Sequence, residues 1–228
     1  MSTLAERLAH TRAAIDAASA RSGRRADAVR LVVVTKAAPP EIFGELAELG
    51  VGDVGENRVQ GAAERLAGWR TRFRWHFIGS LQANKVRKAL PLFDVFHGVD
   101  TLALLERIER VAGELELAPE LLLQVNVSGE DSKHGLEPAA LPGVLRRAAE
   151  LHHARVVGLM TMAPRDDDPE RARPHFEALA ELARRHATPA CPLRELSMGM
   201  SQDFEVAVEA GATLVRLGRR LTQSAPLA

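Results

Sequence analysis

Lys36 closes the strand-type run of "LVVVTKAAPP" (residues 31–40), in which aliphatic residues lead directly into an amine and the chain then breaks at Pro39 and Pro40. An amine at such an end either snorkels its ammonium to water or condenses, once desolvated, with a carbonyl group. The composition bears on the choice. Of 30 basic residues, 26 are arginine and four are lysine: Lys36, Lys85, Lys88 and Lys133. A guanidinium stays protonated and cannot act as an amine nucleophile, so a chain this poor in lysine points to its few amines as chemistry.

Two further stretches suit an anion. In "SMGMS" (197–201) Gly199 permits close backbone approach. Ser201 stands where it would cap the following helix, whose free N–H groups favour a phosphate. In "VRLGRR" (215–220) Gly218 again bares the backbone, with Arg219 beside it. Arg216 lies in the same apolar run, in phase with Leu214, and a buried guanidinium needs a partner. That partner is either a carboxylate of the chain (Glu56, Glu195 or Glu205) or a ligand ring nitrogen. An amine, a phosphate cradle and an arginine facing a heteroaromatic nitrogen match the aldehyde, phosphate and pyridine of pyridoxal 5′-phosphate (PLP).

These residues need a scaffold that gathers them. Eight strand candidates, 31–35, 51–56, 75–79, 93–99, 121–127, 156–162, 195–199 and 213–218, alternate with segments of helical periodicity. That alternation predicts a single (β/α)8 TIM barrel of the α/β class over residues 31–222. An extra N-terminal helix is expected within residues 1–25, the whole of 1–228 forming one domain. An open doubly wound sheet is the runner-up, but no GxGxxG follows the first strand. In such barrels the functional face lies at the C-terminal ends of the strands. Lys36, "GEN" (55–57), "HFIGSLQANK" (76–85), "SGEDSKHG" (128–135), "SMGMS" and "RLGRR" all fall there.

The balance of 30 basic and 30 acidic residues argues against nucleic acid or an anionic membrane as partner. One cysteine, Cys191, suits a reducing compartment. With no signal-type N-terminus and no bilayer-length apolar run, the expectation is a cytoplasmic protein, a monomer or weak dimer.

Taken together, "VTK", "GENRVQ", "WHFIGSLQANK", "LLLQVNVSGEDSKHG" and "LSMGMSQDFEVAVEAGATLVRLG" closely resemble the pyridoxal phosphate homeostasis protein (YggS/PROSC) family, with its fold-type III, alanine-racemase-like barrel. The resemblance implies that Lys36 carries PLP as a Schiff base and that Asn57 lies against it. It further implies that Ser201 and the Gly218 backbone hold the phosphate, that Arg216 faces the pyridine nitrogen, and that Met200 packs nearby. It also implies a role in intracellular PLP (vitamin B6) homeostasis, without established turnover, with PLP-requiring apo-enzymes as partners. The chain departs from the family after "VRLG", where a hydroxyl residue is usual and Arg219 stands instead. Arg219 either turns to the phosphate or points to solvent.

Two alternatives stay open. One is a PLP-dependent racemase or lyase with an unidentified second base such as His76, a residue that reads equally as a packed, hydrogen-bonded part of the barrel; the other is an aldolase-type Schiff-base lysine acting on a sugar phosphate. Such racemases use a tyrosine as second base, and the chain has none. An arginine at the ring nitrogen also leaves the pyridine unprotonated and weakens it as an electron sink. Lys133 and Lys85, in loops on the functional face, are lesser candidates to receive the aldehyde.

Overall fold

Strands buried on both faces read as near-continuous aliphatic runs, because helices cover one side and the closed interior the other. The computed structural model, which describes residues 2–36, 38–130 and 134–222, places eight parallel strands at those runs. They are β1 (Arg30–Val34), β2 (Asp53–Glu56), β3 (Arg74–Phe77), β4 (Val95–Val99), β5 (Glu120–Gln124), β6 (Arg155–Met160), β7 (Glu195–Ser197) and β8 (Leu214–Leu217). Their order is sequential, and β8 closes on β1 through the register Val32↔Arg216. The fold is a (β/α)8 barrel.

The helices are α1 (Leu4–Arg21), α2 (Ile42–Glu48), α3 (Ala62–Leu66), α4 (Val86–Ala89), α5 (Leu102–Glu114), α6 (Leu141–Ala148), α7 (Arg173–His186), α8 (Phe204–Glu209) and α9 (Arg219–Thr222). Helix α1 precedes the first strand and starts on a capping box. Thr3 Oγ1 accepts from the Glu6 N–H at 3.2 Å, and Glu6 Oε2 accepts from the Thr3 N–H at 2.8 Å. It lays Leu4, Leu8, Ile15 and Ala18 on the barrel and packs against α8 and α9. Arg7 reaches across to α9 and donates to the Leu221 carbonyl at 2.8 Å.

Two apolar layers follow from the alternation of side chains along each strand. Val32, Val95, Leu122, Met160 and Leu214 form a small cluster inside the barrel. Their neighbours in sequence, such as Val33, Phe96, Leu121, Leu123 and Val215, join the larger layer between sheet and helices, with Trp75, Phe43 and Phe77 at its centre. Charged pairs tie the strand starts together across the barrel base: Arg30–Glu195 at 2.6 Å, Arg155–Glu120 at 3.1 Å, and Arg74–Glu120. The opposite rim is left to the loops.

Candidate functional site

Loops leaving the C-terminal ends of six strands enclose a cavity of about 460 Å3. Lys36 comes from the loop after β1, Asn57 from β2 and Gly79 from β3. The loop after β6 adds Met162–Ala172 residues such as Arg165, β7 leads to Met200, Ser201 and Asp203, and β8 provides Arg216, Gly218 and Arg219. All seven residues singled out for the cofactor around Lys36 thus line one space. Gly79, just past β3, lies tight against the backbone that leaves β2: a Cβ there would stand 2.4 Å from the Asn57 carbonyl oxygen.

Lys36 is exposed in the turn that follows Val34, one residue beyond the predicted strand end. Its turn is held from below. Glu56, buried at 4% exposure, accepts from the Thr35 hydroxyl at 2.7 Å and from Arg65 Nε at 2.9 Å. Arg65 stacks over Phe43 and donates through Nη2 to the carbonyls of Thr35 and Ala38, both at 2.7 Å. One guanidinium therefore grips the backbone on both sides of Lys36. Replacing Arg65 by methionine should cost about 3 kcal/mol, because it strands a buried carboxylate. In urea unfolding, pairing Arg65→Met with Glu56→Gln should recover most of that loss. If the single variant unfolds like the parent protein, the clamp contributes nothing.

Arg216, 6% exposed, has no carboxylate partner among the described residues. Glu56 pairs with Arg65, Glu195 with Arg30 and Glu205 with Arg21, so the intramolecular alternatives for Arg216 are all engaged elsewhere. Its Nη1 donates to Ser197 Oγ and its Nη2 to the Thr161 carbonyl at 3.1 Å. Burial pushes its pKa down to about 10, against the pull of Asp203. It stays cationic at neutral pH.

The phosphate-side loop differs from expectation in one respect. Ser201 does not cap a helix: α8 starts at Phe204, and Asp203 holds the cap position. The Asp203 carboxylate accepts from the Met200 N–H at 2.6 Å and closes the 200–203 loop on itself. Burial pushes Asp203 up, against that bond and the Arg216 charge. Gly199 adopts φ +91°, and a Cβ there would lie 2.6 Å from that of Ala207, so this loop requires glycine. Ser201 is half-buried and still lines the cavity; Arg219 is exposed at its edge. Arg219 has no ion-pair partner among the described residues, whereas Arg173, on the outer side of the barrel, pairs with Glu170 and Glu209.

His76 is placed away from the cavity. It is fully buried in β3, with Nε2 at 2.8 Å from Asp53 Oδ1 at the start of β2 and Nδ1 at 2.8 Å from His97 Nε2. Its ring points inward and down toward Asp53 at the start of β2, which puts it below the mouth. Lys85 is half-buried at the end of a short 3-10 turn (Ala83–Lys85) and does not line the cavity; Lys133 lies outside the described residues.

The alanine racemase N-terminal domain model matches residues 8–226. A pyridoxal phosphate homeostasis protein of Aquifex aeolicus is 39% identical over 220 residues, 95% of this chain and 96% of that protein. Its counterpart in Deinococcus radiodurans is 43% identical over 212 residues, 92% and 96% of the two chains. The chain belongs to the pyridoxal phosphate homeostasis protein family. Among solved structures, PipY of Synechococcus elongatus, described with PLP bound, is 38% identical with a TM-score of 0.81, covering 96% of this chain and all of that one (100%). An alanine racemase of Clostridium difficile shares the fold alone, at 14% identity and a TM-score of 0.69 over 87% of this chain and 53% of its own.

Several groups that shape the site in this member of the family carry no local sequence signal. Arg65 lies in a five-residue helix among other arginines, and Ser197, His97 and Thr161 sit on three different strands or their ends. A buried serine or histidine in an aliphatic run is the only cue they offer.

Proposed function

We propose that this protein holds pyridoxal 5′-phosphate on the Lys36 amine and serves intracellular PLP homeostasis, binding and releasing the cofactor with no catalytic turnover of its own. The observation that carries the reading is that Lys36, Arg216 and the Ser201–Gly218–Arg219 edge line one cavity. A guanidinium has donors only, so the ligand atom facing Arg216 must be an acceptor, which an unprotonated pyridine nitrogen is. Ser201, the Gly218 backbone and the exposed Arg219 form the edge suited to a phosphate, Arg219 adding charge-assisted hydrogen bonds where a neutral hydroxyl is usual. Asn57 and Met200 would border the ring. Bound there, PLP supplies an aldehyde that condenses with amines and a ring that withdraws electrons. Arg216, unlike a carboxylate, opposes protonation of that ring and so limits the second property. Lys36, in an exposed turn at the rim, suits hand-over to PLP-requiring apo-enzymes.

The racemase alternative would need a second base beside the ring, and His76, its candidate, faces Asp53 and His97 instead. The test is the PLP-loaded protein in deuterated water with L-alanine. The α-proton should exchange no faster than with an equal concentration of free PLP. Exchange that rises with protein concentration and saturates with L-alanine would show turnover and overturn the non-catalytic reading.

A further inference from the structure

The inside of the barrel carries a chain of polar side chains that the cofactor reading leaves unused. Asp53 Oδ1 meets His76 Nε2 at 2.8 Å, His76 Nδ1 meets His97 Nε2 at 2.8 Å, and His97 Nδ1 meets Ser197 Oγ at 2.7 Å. Ser197 Oγ then accepts from Arg216 Nη1. Strands β4 and β7 are not neighbours, so the His97–Ser197 bond crosses the interior. The chain therefore runs from the barrel base to the cavity. His76, His97 and Ser197 are fully buried, and Asp53 is 18% exposed at its side chain, near Arg30 and Arg74.

Counting donors fixes the direction. An ionised Asp53 can only accept, so His76 must donate from Nε2 and, being neutral, accept at Nδ1. His97 then donates from Nε2 and accepts at Nδ1, which obliges the Ser197 hydroxyl to donate to it. Ser197 Oγ turns its lone pairs to Arg216. Every bond points from the mouth to the base, and bonds aligned in one direction strengthen one another.

We propose that Asp53, His76, His97 and Ser197 are positioning residues forming a one-directional hydrogen-bond relay that locks Arg216 as a fixed donor toward the cavity. Two of its five N–H groups are spent on Ser197 and Thr161, and the remainder are aimed by that anchoring. The proposal rests on the cofactor reading only for what Arg216 meets; the relay itself is made wholly of the chain's own side chains. The directions of the shifts agree with it. Burial drives both imidazoles to the neutral form, His97 further than His76. Burial pushes Asp53 up, but the His76 bond and the nearby Arg30 and Arg74 charges bring it below its usual value.

Nitrogen-15 NMR of the cofactor-free protein near neutral pH should show both His76 and His97 as Nε2–H tautomers. An Nδ1–H or doubly protonated signal from either would overturn the relay without any substitution. With PLP added, His97→Phe should weaken binding about tenfold, as expected for disturbing a hydrogen bond to a charged group. His97→Gln, which keeps an acceptor toward Ser197 and a donor toward His76, should restore it. A 1-deaza analogue of PLP, lacking the ring nitrogen, should bind the native protein and both variants alike. Equal weakening of PLP and its analogue, or no rescue by glutamine, would reduce His97 to a packing residue. Native protein with both Nε2–H tautomers that fails to take up PLP would overturn the cofactor reading and leave the relay intact.

Discussion

Lys36→Ala is expected to abolish the covalent, borohydride-reducible PLP adduct outright while leaving the unfolding midpoint unchanged. The two halves of this expectation have separate grounds. Lys36 is exposed in a turn and makes no ion pair among the described residues, so removing its side chain falls within the small range of surface substitutions, about 0.5 kcal/mol. The Glu56–Arg65 clamp acts on the backbone of Thr35 and Ala38 and survives the change. Loss of the adduct follows from placement: among the described residues Lys36 is the lysine that lines the cavity with Arg216 and Gly218, while Lys85 does not and Lys88 sits on α4. Yellow colour retained weakly and lost on dialysis would report the non-covalent contacts that remain. A reducible band of native intensity, with peptide mapping that places the adduct on Lys85 or Lys133, would defeat the assignment of Lys36.

The parts of this molecule that could be read in advance are those with a local signature. Period and length announce each strand, and the end of β1 announces Lys36 because a charged residue interrupts an aliphatic run. Gly218 and Arg219 were legible through their address after the last strand. The relay was not. His97 and Ser197 are 100 residues apart and meet only because the barrel closes, so no spacing rule connects them. His76 reads either as a base near the cofactor or as a packed residue of the barrel, and its pattern in the strand does not choose between them. Whether an inward side chain faces the mouth or the base depends on the tilt and stagger of closed strands, which periodicity does not encode. Ser201 illustrates another limit. Capping preference names the residue types that start helices, yet the 200–203 loop is closed by Asp203 accepting from Met200, and the helix starts after it. Arg65 was one of many arginines; what separates it is a buried carboxylate beneath it, and burial is a property of the assembled fold.

The same two histidines should make the protein acid-sensitive well above the carboxylate range. In the unfolded chain each imidazole takes up a proton near pH 6.5. In the fold, burial holds both neutral: His97 is well below that value and His76 below it, with the charges of Arg30, Arg74 and, for His97, Arg216 adding to the effect, and Asp53 alone pulling His76 upward. Below the unfolded pKa the unfolded state therefore binds more protons than the native state, so stability must fall as pH falls. Two such groups give a slope of at most ~2.7 kcal/mol per pH unit while both stay neutral in the fold, half of it from each. The loss accumulates as the pH falls through the unfolded-state value of the two imidazoles, and each share ends where that histidine takes up its proton in the fold. The carboxylates act lower down. Burial pushes Glu109 up, but the N–H groups of Ala154 and His152 and the bonds from His153 hold it at about 2, so its contribution is present above the ordinary carboxylate range and is lost only beneath the histidine window. Urea unfolding across that window measures the slope directly. His97→Gln keeps the hydrogen bonds but cannot titrate, and should flatten the slope by about half. Stability that stays level in the native protein as the pH falls through 6.5 would mean that the interior histidines accept protons in the fold. An unchanged slope in His97→Gln would show that the acid sensitivity arises elsewhere.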